Sequence, residues 1–457
     1  MNIDASIFRA YDIRGVVADA LTPQACELIG RAFGSEALAR GQNTVNLARD
    51  GRLSGPDLIS ALAKGIQSTG CDVINIGMVP TPVLYFSTYH LETGTGIMVT
   101  GSHNPPEYNG LKMMIGGDTL FGDGIQELYQ RIVDEELVSG EGKYSETDVM
   151  DAYLDRIIGD IKLSRKMRVA SDCGNGVAGV CATKLFTKLG CEVHELFSEV
   201  DGNFPNHHPD PAKVENLQDI MAVVEKEKLE LGLAFDGDGD RVGVIDDKGE
   251  IIWPDRQMIL YSRDILDRNP GAKIIFDVKC STLLPKAISE AGGEPEMWKT
   301  GHSFVKARIK ETGAALGGEM SGHIFFKERW YGFDDALYSA ARLLEILSRD
   351  DRPVSEIFGE IPNSVNTPEL GIKFAEGEHH KFMQAFVESA SFEGAKLTTI
   401  DGIRADFENG WGLVRASNTT PSLVIRFEAD SQSDLEKIQS NFRTAMLNVD
   451  SSIELPF

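Results

Sequence analysis

Met167-Arg-Val-Ala-Ser-Asp-Cys-Gly174 leads into a helical stretch ending at Lys188 and then into Gly190-Cys-Glu-Val193, and the chain uses this pattern three times. An earlier copy has Thr44-Val-Asn-Leu-Ala-Arg-Asp-Gly-Arg52, a helical stretch from Pro56 to Ser68, and Gly70-Cys-Asp-Val73. A later one has Lys273-Ile-Ile-Phe-Asp-Val-Lys279, a helix through Glu290, and Gly292-Gly-Glu-Pro295. Each copy reads strand, loop with an aspartate (Asp50, Asp172, Asp277), helix, strand. That rhythm builds βαβ units, because parallel neighbours need a long crossover between them. The expected fold class is therefore α/β: three similar α/β domains with mixed, largely parallel sheets. After Gly359 the pattern changes to strand-rich sequence with a helix near Ser433 to Leu447, which reads as a smaller α+β C-terminal domain.

Beyond each copy, a further apolar strand ends in a polar loop. These loops are Thr100-Gly-Ser-His-Asn-Pro105, Asp236-Gly-Asp-Gly-Asp-Arg241 and Gly318-Glu-Met-Ser-Gly-His323. Ligands of open α/β sheets gather at the carboxyl ends of strands, so chemistry is expected there. Polar or Pro/Gly-containing joints at Glu141–Met150, Asp246–Glu250 and Ile361–Pro368 divide the chain into segments 1–147, 148–250, 251–362 and 363–457.

In the second loop, three carboxylates alternate with glycines between Leu231-Gly-Leu-Ala-Phe235 and Val242-Gly-Val-Ile245. Burying that much like charge between two strands is costly without a cation. Glycine lets the backbone turn sharply, so Asp236, Asp238 and Asp240 can converge on one point. An all-oxygen donor set favours a hard cation, with Mg²⁺ the best candidate. An EF-hand does not fit, because its sixth position is Arg241 rather than Gly and its twelfth is Asp247 rather than Glu. A solvated acidic turn is the bland alternative; Arg241 and the apolar flanks argue against it.

Ser102 is the candidate nucleophile: its hydroxyl follows a strand, flanked by Gly101, where backbone N–H groups can surround it. The acyl-transfer elbow GxSxG is absent, since Thr100 and Asn104 stand at its glycine positions. A phosphorylated serine facing a Mg²⁺ loop makes better physical sense, the bland reading being a turn with capping duties. Lys112 could act as acid, base or phosphate partner, or be merely solvated. Glu319 and Ser321, two residues apart in an extended loop, can both point toward one bound ligand. Arg415, Ser417, Asn418 and Thr419, on a loop between two strands, suit a phosphate, the guanidinium fork engaging two oxygens at once.

Gly174-Asn-Gly-Val-Ala-Gly179 matches the dinucleotide fingerprint and lies between strand and helix. The equivalent loops of the other two copies lack the glycines, so packing of strand on helix is the expected role. The chain has 457 residues, 42% hydrophobic and 25% charged, with 45 basic and 70 acidic side chains and a formal net charge of −25. That charge argues against nucleic acid and anionic membranes as partners. No signal-type or transmembrane-length apolar run occurs, and the six cysteines form no CxxC pair. A cytoplasmic protein with reduced, buried thiols is expected.

Together with Phe8-Arg-Ala-Tyr-Asp-Ile-Arg-Gly15 near the N-terminus and Arg415-Ala-Ser-Asn-Thr-Thr-Pro421 near the C-terminus, the three loops resemble the signature motifs of the α-D-phosphohexomutases. They stand in that family's order and span essentially the whole chain. The likeness is nearest to the bacterial branch acting on mannose and glucose phosphates. The glucosamine branch typically has Arg-Pro-Ser-Gly-Thr-Glu where Ala416, Asn418 and Thr420 stand here. The resemblance implies four domains around one deep cleft, the fourth mobile. It also implies a phosphoserine at Ser102 beside Mg²⁺ held by Asp236, Asp238 and Asp240, and a sugar 1,6-bisphosphate (glucose 1,6-bisphosphate as activator) that turns over in the cleft. By the same resemblance Lys112 and His323 are the acid/base candidates, and His103, Arg241 and Lys279 steady the reacting phosphate. Thr300, Gly301 and His302 line the sugar, and Tyr11 and Arg14 complete the cleft floor. The expected activity is interconversion of hexose 1- and 6-phosphates by a monomer. Its rivals are a glucosamine-specific mutase, a Mg²⁺-dependent phosphatase and a sugar-phosphate binder without turnover.

Overall fold

A computed structural model describes residues 3–375, 377–418 and 420–457. The three copies of the repeat form three mixed sheets of one topology. In the first, strand Thr44–Arg49 lies between parallel partners Asp72–Met78 and Gly96–Val99, and the last of these pairs antiparallel with Tyr108–Ile115. In the second, Arg168–Asp172 lies between Glu192–Leu196 and Leu231–Phe235, followed by antiparallel Val242–Asp246. In the third, Lys273–Asp277 lies between Glu294–Trp298 and Leu316–Gly318, followed by antiparallel Ile324–Phe326. Helices Gly55–Gln67, Ala182–Lys188 and Leu283–Glu290 make the first crossovers. Thr81–His90, Gln218–Glu227 and His302–Thr312 make the second.

Helices flank these sheets, so the central strands need no polar face; Leu231–Phe235 and Val242–Asp246 are buried along their whole length. The second sheet also takes in Ile251–Ile252, two residues past the boundary expected at 250, and the first extends to Tyr144–Glu146. The fourth sheet is antiparallel throughout, with Ser422–Ala429 paired to Gly410–Ala416, and carries helix Gln432–Val449. Ser431 caps that helix by accepting from the Asp434 N–H.

One apolar core runs continuously from helix Thr81–His90 through the second and third sheets to helix Ala336–Leu347. The C-terminal segment has its own core, from Ile372 to Met446. It meets the third sheet through a small cluster of Val278, Trp411 and Leu413 and a set of polar contacts. Arg404, buried on the face of Trp411, donates at 2.7 Å to the carbonyls of Val278 and Cys280. Ser281 donates to Glu428 across the same junction. All six cysteines are free and buried, as expected.

Candidate active site

In each of the first three sheets the polar loop is the turn joining the last parallel strand to its antiparallel partner. That shared topological place is why three loops far apart in sequence meet, Ser102 against Asp236 and Asp240 against His323. The serine loop follows Gly96–Val99, the aspartate loop follows Leu231–Phe235, and the loop after Leu316–Gly318 is a tight hairpin, with the Gly322 N–H donating to the Glu319 carbonyl. It is not the extended segment expected from sequence. Glu319 and Ser321 consequently converge on His323: Glu319 Oε2 lies 3.0 Å, and Ser321 Oγ 2.9 Å, from Nδ1 of its ring.

Ser102 has φ +47°, a left-handed conformation uncommon outside glycine, and its Oγ donates to Asp236 Oδ2 at 3.0 Å. Nδ1 of His103 lies 3.2 Å from the same oxygen. The carboxylates of Asp236, Asp238 and Asp240 offer ligand atoms within 4.8 Å of one another, and all three residues are fully buried. Lys112 reaches them from the strand after the serine loop, donating to Asp238 at 2.8 Å and also to Asp240. Arg241 donates from Nε to Asp236 at 3.1 Å and from Nη1 to Asp210 at 3.2 Å. Burial and the two neighbouring carboxylates push Asp236 up to about 7. Burial pushes Asp240 the same way, but the Lys112 ammonium holds it well below the usual carboxylate range.

These residues fit a hard divalent cation. Among the described residues, buried Asp238 Oδ1 accepts no hydrogen bond, and Asp240 Oδ1 has only the His323 ring, at 3.4 Å. Two oxygens of an all-carboxylate set are thus left available for a metal. Lys112 supplies the compensating positive charge, which gives a prediction. Lys112→Met leaves buried carboxylates without their ammonium, a loss of about 3–5 kcal/mol for a broken buried pair. In EDTA the variant is expected to melt well below the wild type, and Mg²⁺ should raise its Tm by more than it raises the wild type's. Equal Mg²⁺ shifts in the two thermal scans would show that Lys112 does not balance this triad.

His323 sits between charges. Burial opposes its protonation, but Asp240 and Glu319 at its two ring nitrogens raise it to about 9. His302 is held well below its ordinary value by burial and by Lys306. The Lys306 ammonium donates to its Nδ1 at 3.2 Å, so neutral His302 carries its proton on Nε2. Lys306 is itself paired with buried Asp334 at 2.8 Å.

A second pair of buried cations, Arg415 and Lys279, lies beside Thr300 and Tyr11. Arg415 donates from Nε to Asp401 at 2.9 Å, and its buried Nη2 has no partner among the described residues. Asp401 also accepts from the Thr300 N–H, and Lys279 pairs with Glu369 at 3.0 Å. Tyr11 joins three segments: its hydroxyl donates to the Thr300 carbonyl at 2.8 Å and accepts from Asn418. Gly301, at φ +139°, donates its N–H to Glu319 at 2.5 Å, and a Cβ there would lie 2.6 Å from the Tyr11 ring. Arg14 donates to Asn104 at 2.9 Å, which ties it to the serine loop. Ser417 is buried beside Arg415, and Thr419 lies outside the described residues.

Some residues that shape the site carried no recognisable sequence signal. Thr81 donates to Asp238 at 2.5 Å, Asp210 partners Arg241, and His208 donates to the His103 carbonyl. The aspartate of each repeat did offer a signal. Asp50 binds Thr100 and the Gly101 N–H, and Asp277 binds Thr300 and the Met320 N–H, so two of the three brace a neighbouring loop. The glycines of the 174–179 loop are used in packing: a Cβ on Gly176 would lie 3.0 Å from Gly237 of the aspartate loop, and one on Gly179 2.0 Å from the Ser198 carbonyl.

Four family models for phosphoglucomutase/phosphomannomutase match the chain in order. They cover alpha/beta/alpha domain I at residues 5–138, domain II at 151–249, domain III at 253–365 and the C-terminal domain at 372–445. The phosphomannomutase/phosphoglucomutase of Pseudomonas aeruginosa is 55% identical over 455 residues, 100% of this chain and 98% of that protein. The chain belongs to the phosphoglucomutase/phosphomannomutase family. The phosphoglucomutase of Neisseria gonorrhoeae is 54% identical over 449 residues, 97% of each chain. A phosphoglucomutase/phosphomannomutase family protein from Burkholderia thailandensis superposes with a TM-score of 0.95 at 53% identity, covering 100% of both chains. The family member described here is thus an α-D-phosphohexomutase, an isomerase, and the multi-domain α/β architecture expected from its repeats is the family's own. No helix among its described residues is long and apolar enough to cross a membrane.

Proposed function

We propose that this phosphohexomutase interconverts the 1- and 6-phosphates of glucose and mannose, with Ser102 as the phosphoryl carrier and a sugar 1,6-bisphosphate as the intermediate. The observation that carries the reading is the meeting of Ser102 Oγ with Asp236 at 3.0 Å, together with Arg415, whose buried Nη2 has no partner among the described residues. Asp236, Asp238 and Asp240 would hold Mg²⁺, which when bound neutralises charge on the phosphoryl group in transfer. In the forward step the bond from phosphorus to Ser102 Oγ breaks and one to a free sugar hydroxyl forms, the hydroxyl's proton passing to a neighbouring base. In the return step the other phosphate of the bisphosphate goes back to Ser102, and the alkoxide it leaves takes up a proton. Lys112 and His323, both against Asp240 and both held protonated there, are the groups placed to supply the proton that this alkoxide takes up. His103 and Arg241 steady the phosphoryl group near Ser102, and Lys279 and Arg415 hold the phosphate at the far end. Neutral His302 offers an N–H from Nε2, and Glu319 and Ser321 present the oxygens suited to hydroxyls common to both epimers.

A retained phosphoserine separates a mutase from a phosphatase, which passes the group to water, and from a binder, which does neither. Intact mass of the purified enzyme is expected to rise by one phosphoryl group on incubation with glucose 1,6-bisphosphate, and the modified peptide to contain Ser102. Glucose and mannose 1-phosphates should then turn over with kcat/KM within about tenfold of each other, since the proposed contacts leave C2 unread. A hundredfold preference, about 2.7 kcal/mol, would mean that C2 is read. Preferred turnover of glucosamine phosphate would assign the chain to the other branch.

A further inference from the structure

The reading of Ser102 as phosphoryl carrier leaves open what holds that serine in its uncommon backbone conformation. We infer that Arg52, a buried guanidinium from the first strand–helix loop, is a positioning residue for phosphoryl transfer: it gathers the carbonyls of the serine loop and aims Ser102 Oγ at the aspartate loop. The Arg52 side chain is inaccessible to solvent. Its Nη1 donates to the carbonyls of Pro105 at 2.6 Å and Tyr108 at 3.0 Å, and its Nη2 to those of Ser102 at 2.8 Å and Asn104 at 2.5 Å. Three backbone oxygens of the serine loop and that of the first residue of the following strand are thereby fixed by one planar group.

Asp50 completes the brace from the same strand end. It lies 3.2 Å from Arg52 Nε and accepts from Thr100 Oγ1 at 2.8 Å and the Gly101 N–H at 3.1 Å. Thr100 Oγ1 in turn accepts from the Ser102 N–H at 2.8 Å. Both the N–H and the carbonyl of Ser102 are therefore bound into this pair, which is what a residue at φ +47° requires to stay there. Phe204, from the second segment, covers the guanidinium with its ring 5.3 Å away, and Val200 packs against Gly51. The brace thus spans the junction between the serine-bearing and metal-binding segments.

Gly101 reports on the same contact from the other side, because a Cβ there would lie 2.4 Å from the Arg52 guanidinium carbon. Gly101→Ala should displace the fork without removing any charge. Arg52→Lys keeps the charge but lacks the planar fork. The experiment measures phosphorylation of Ser102 by glucose 1,6-bisphosphate, together with kcat and KM for glucose 1-phosphate, in Arg52→Lys, Gly101→Ala and the double variant. Displacing a reacting atom by about 1 Å costs about hundredfold in rate, so each single variant should lose about that much in phosphorylation rate and kcat. KM should stay within about threefold, because the sugar and distal phosphate sites are untouched. The double variant should be no slower than the slower single one, since both changes break one contact.

Should Arg52→Lys fail to fold, Gly101→Ala still tests the contact with the guanidinium in place. Wild-type phosphorylation rates in both single variants, a KM that rises in step with the loss of rate, or multiplicative losses in the double variant would each overturn the assignment. Failure of the wild-type enzyme to be phosphorylated on Ser102 would instead overturn the carrier reading, and this inference with it.

Discussion

Ser102→Ala is expected to abolish the phosphoenzyme and lower turnover by on the order of 10⁴- to 10⁶-fold, the range for removing a covalent nucleophile. The side chain is small and its Oγ makes two contacts, with Asp236 and the His103 ring. Most of what holds the loop, including the Arg52 fork and the Asp50 carboxylate, binds backbone or Thr100 and survives the change. The variant should therefore fold, keep its melting temperature within a few degrees, and still bind hexose phosphates. Intact mass after incubation with bisphosphate, read beside the progress curve, checks the outcome. A phosphorylated Ser102→Ala protein turning over at wild-type rate would place the carrier elsewhere.

Arg415→Ala is expected to weaken both the 1-phosphate and the 6-phosphate substrates by about 100-fold in kcat/KM. Charged hydrogen bonds contribute about 1.5–3 kcal/mol each, and one lost fork of about 3 kcal/mol corresponds to that factor. The guanidinium is buried, oriented by Asp401 through Nε, and its Nη2 has no partner among the described residues. Its charge is secure: burial disfavours it, but Asp401 beside it raises its pKa still further. The bisphosphate must reverse its ends in one cleft, so the same clamp has to receive the phosphate from either carbon. Phosphorylation of Ser102 by a small acyl phosphate needs no distal clamp and should be almost unaffected. KM for each isomer and the extent of phosphoenzyme formation are the measurements. Normal KM for one isomer, or loss of the phosphoserine itself, would show that Arg415 is not the distal clamp.

The order of sheets and the place of the loops were legible because both follow from local rules. A βαβ unit repeated three times leaves a visible phrase, and the polar loop after its third strand falls at the same topological point each time. The aspartate loop was legible because alternating glycine and carboxylate between apolar strands has few other uses. Helix ends read from sequence, such as Pro56 to Ser68 and Ser433 to Leu447, lie within two residues of Gly55–Gln67 and Gln432–Val449. The geometry around His323 was not legible. A period-two argument assumed an extended loop, whereas the Glu319 carbonyl bonds Gly322 and folds the segment into a hairpin turn. That turn places Glu319 and Ser321 on one histidine ring.

The sequence by itself determined the repeat, the strand-end positions of its loops, and the residue types that could carry phosphoryl chemistry. Periodicity and short-range backbone preference are written into consecutive residues. Only the tertiary structure decided which charges neutralise one another. Lys112 meets Asp238 across 126 positions, Tyr11 meets Asn418 across 407, and Arg52 reads carbonyls 50 to 56 residues away. No local pattern marks such pairs, because their geometry is set by how whole sheets pack. A buried arginine, a threonine or an aspartate looks ordinary in sequence until burial makes its hydrogen bonds obligatory.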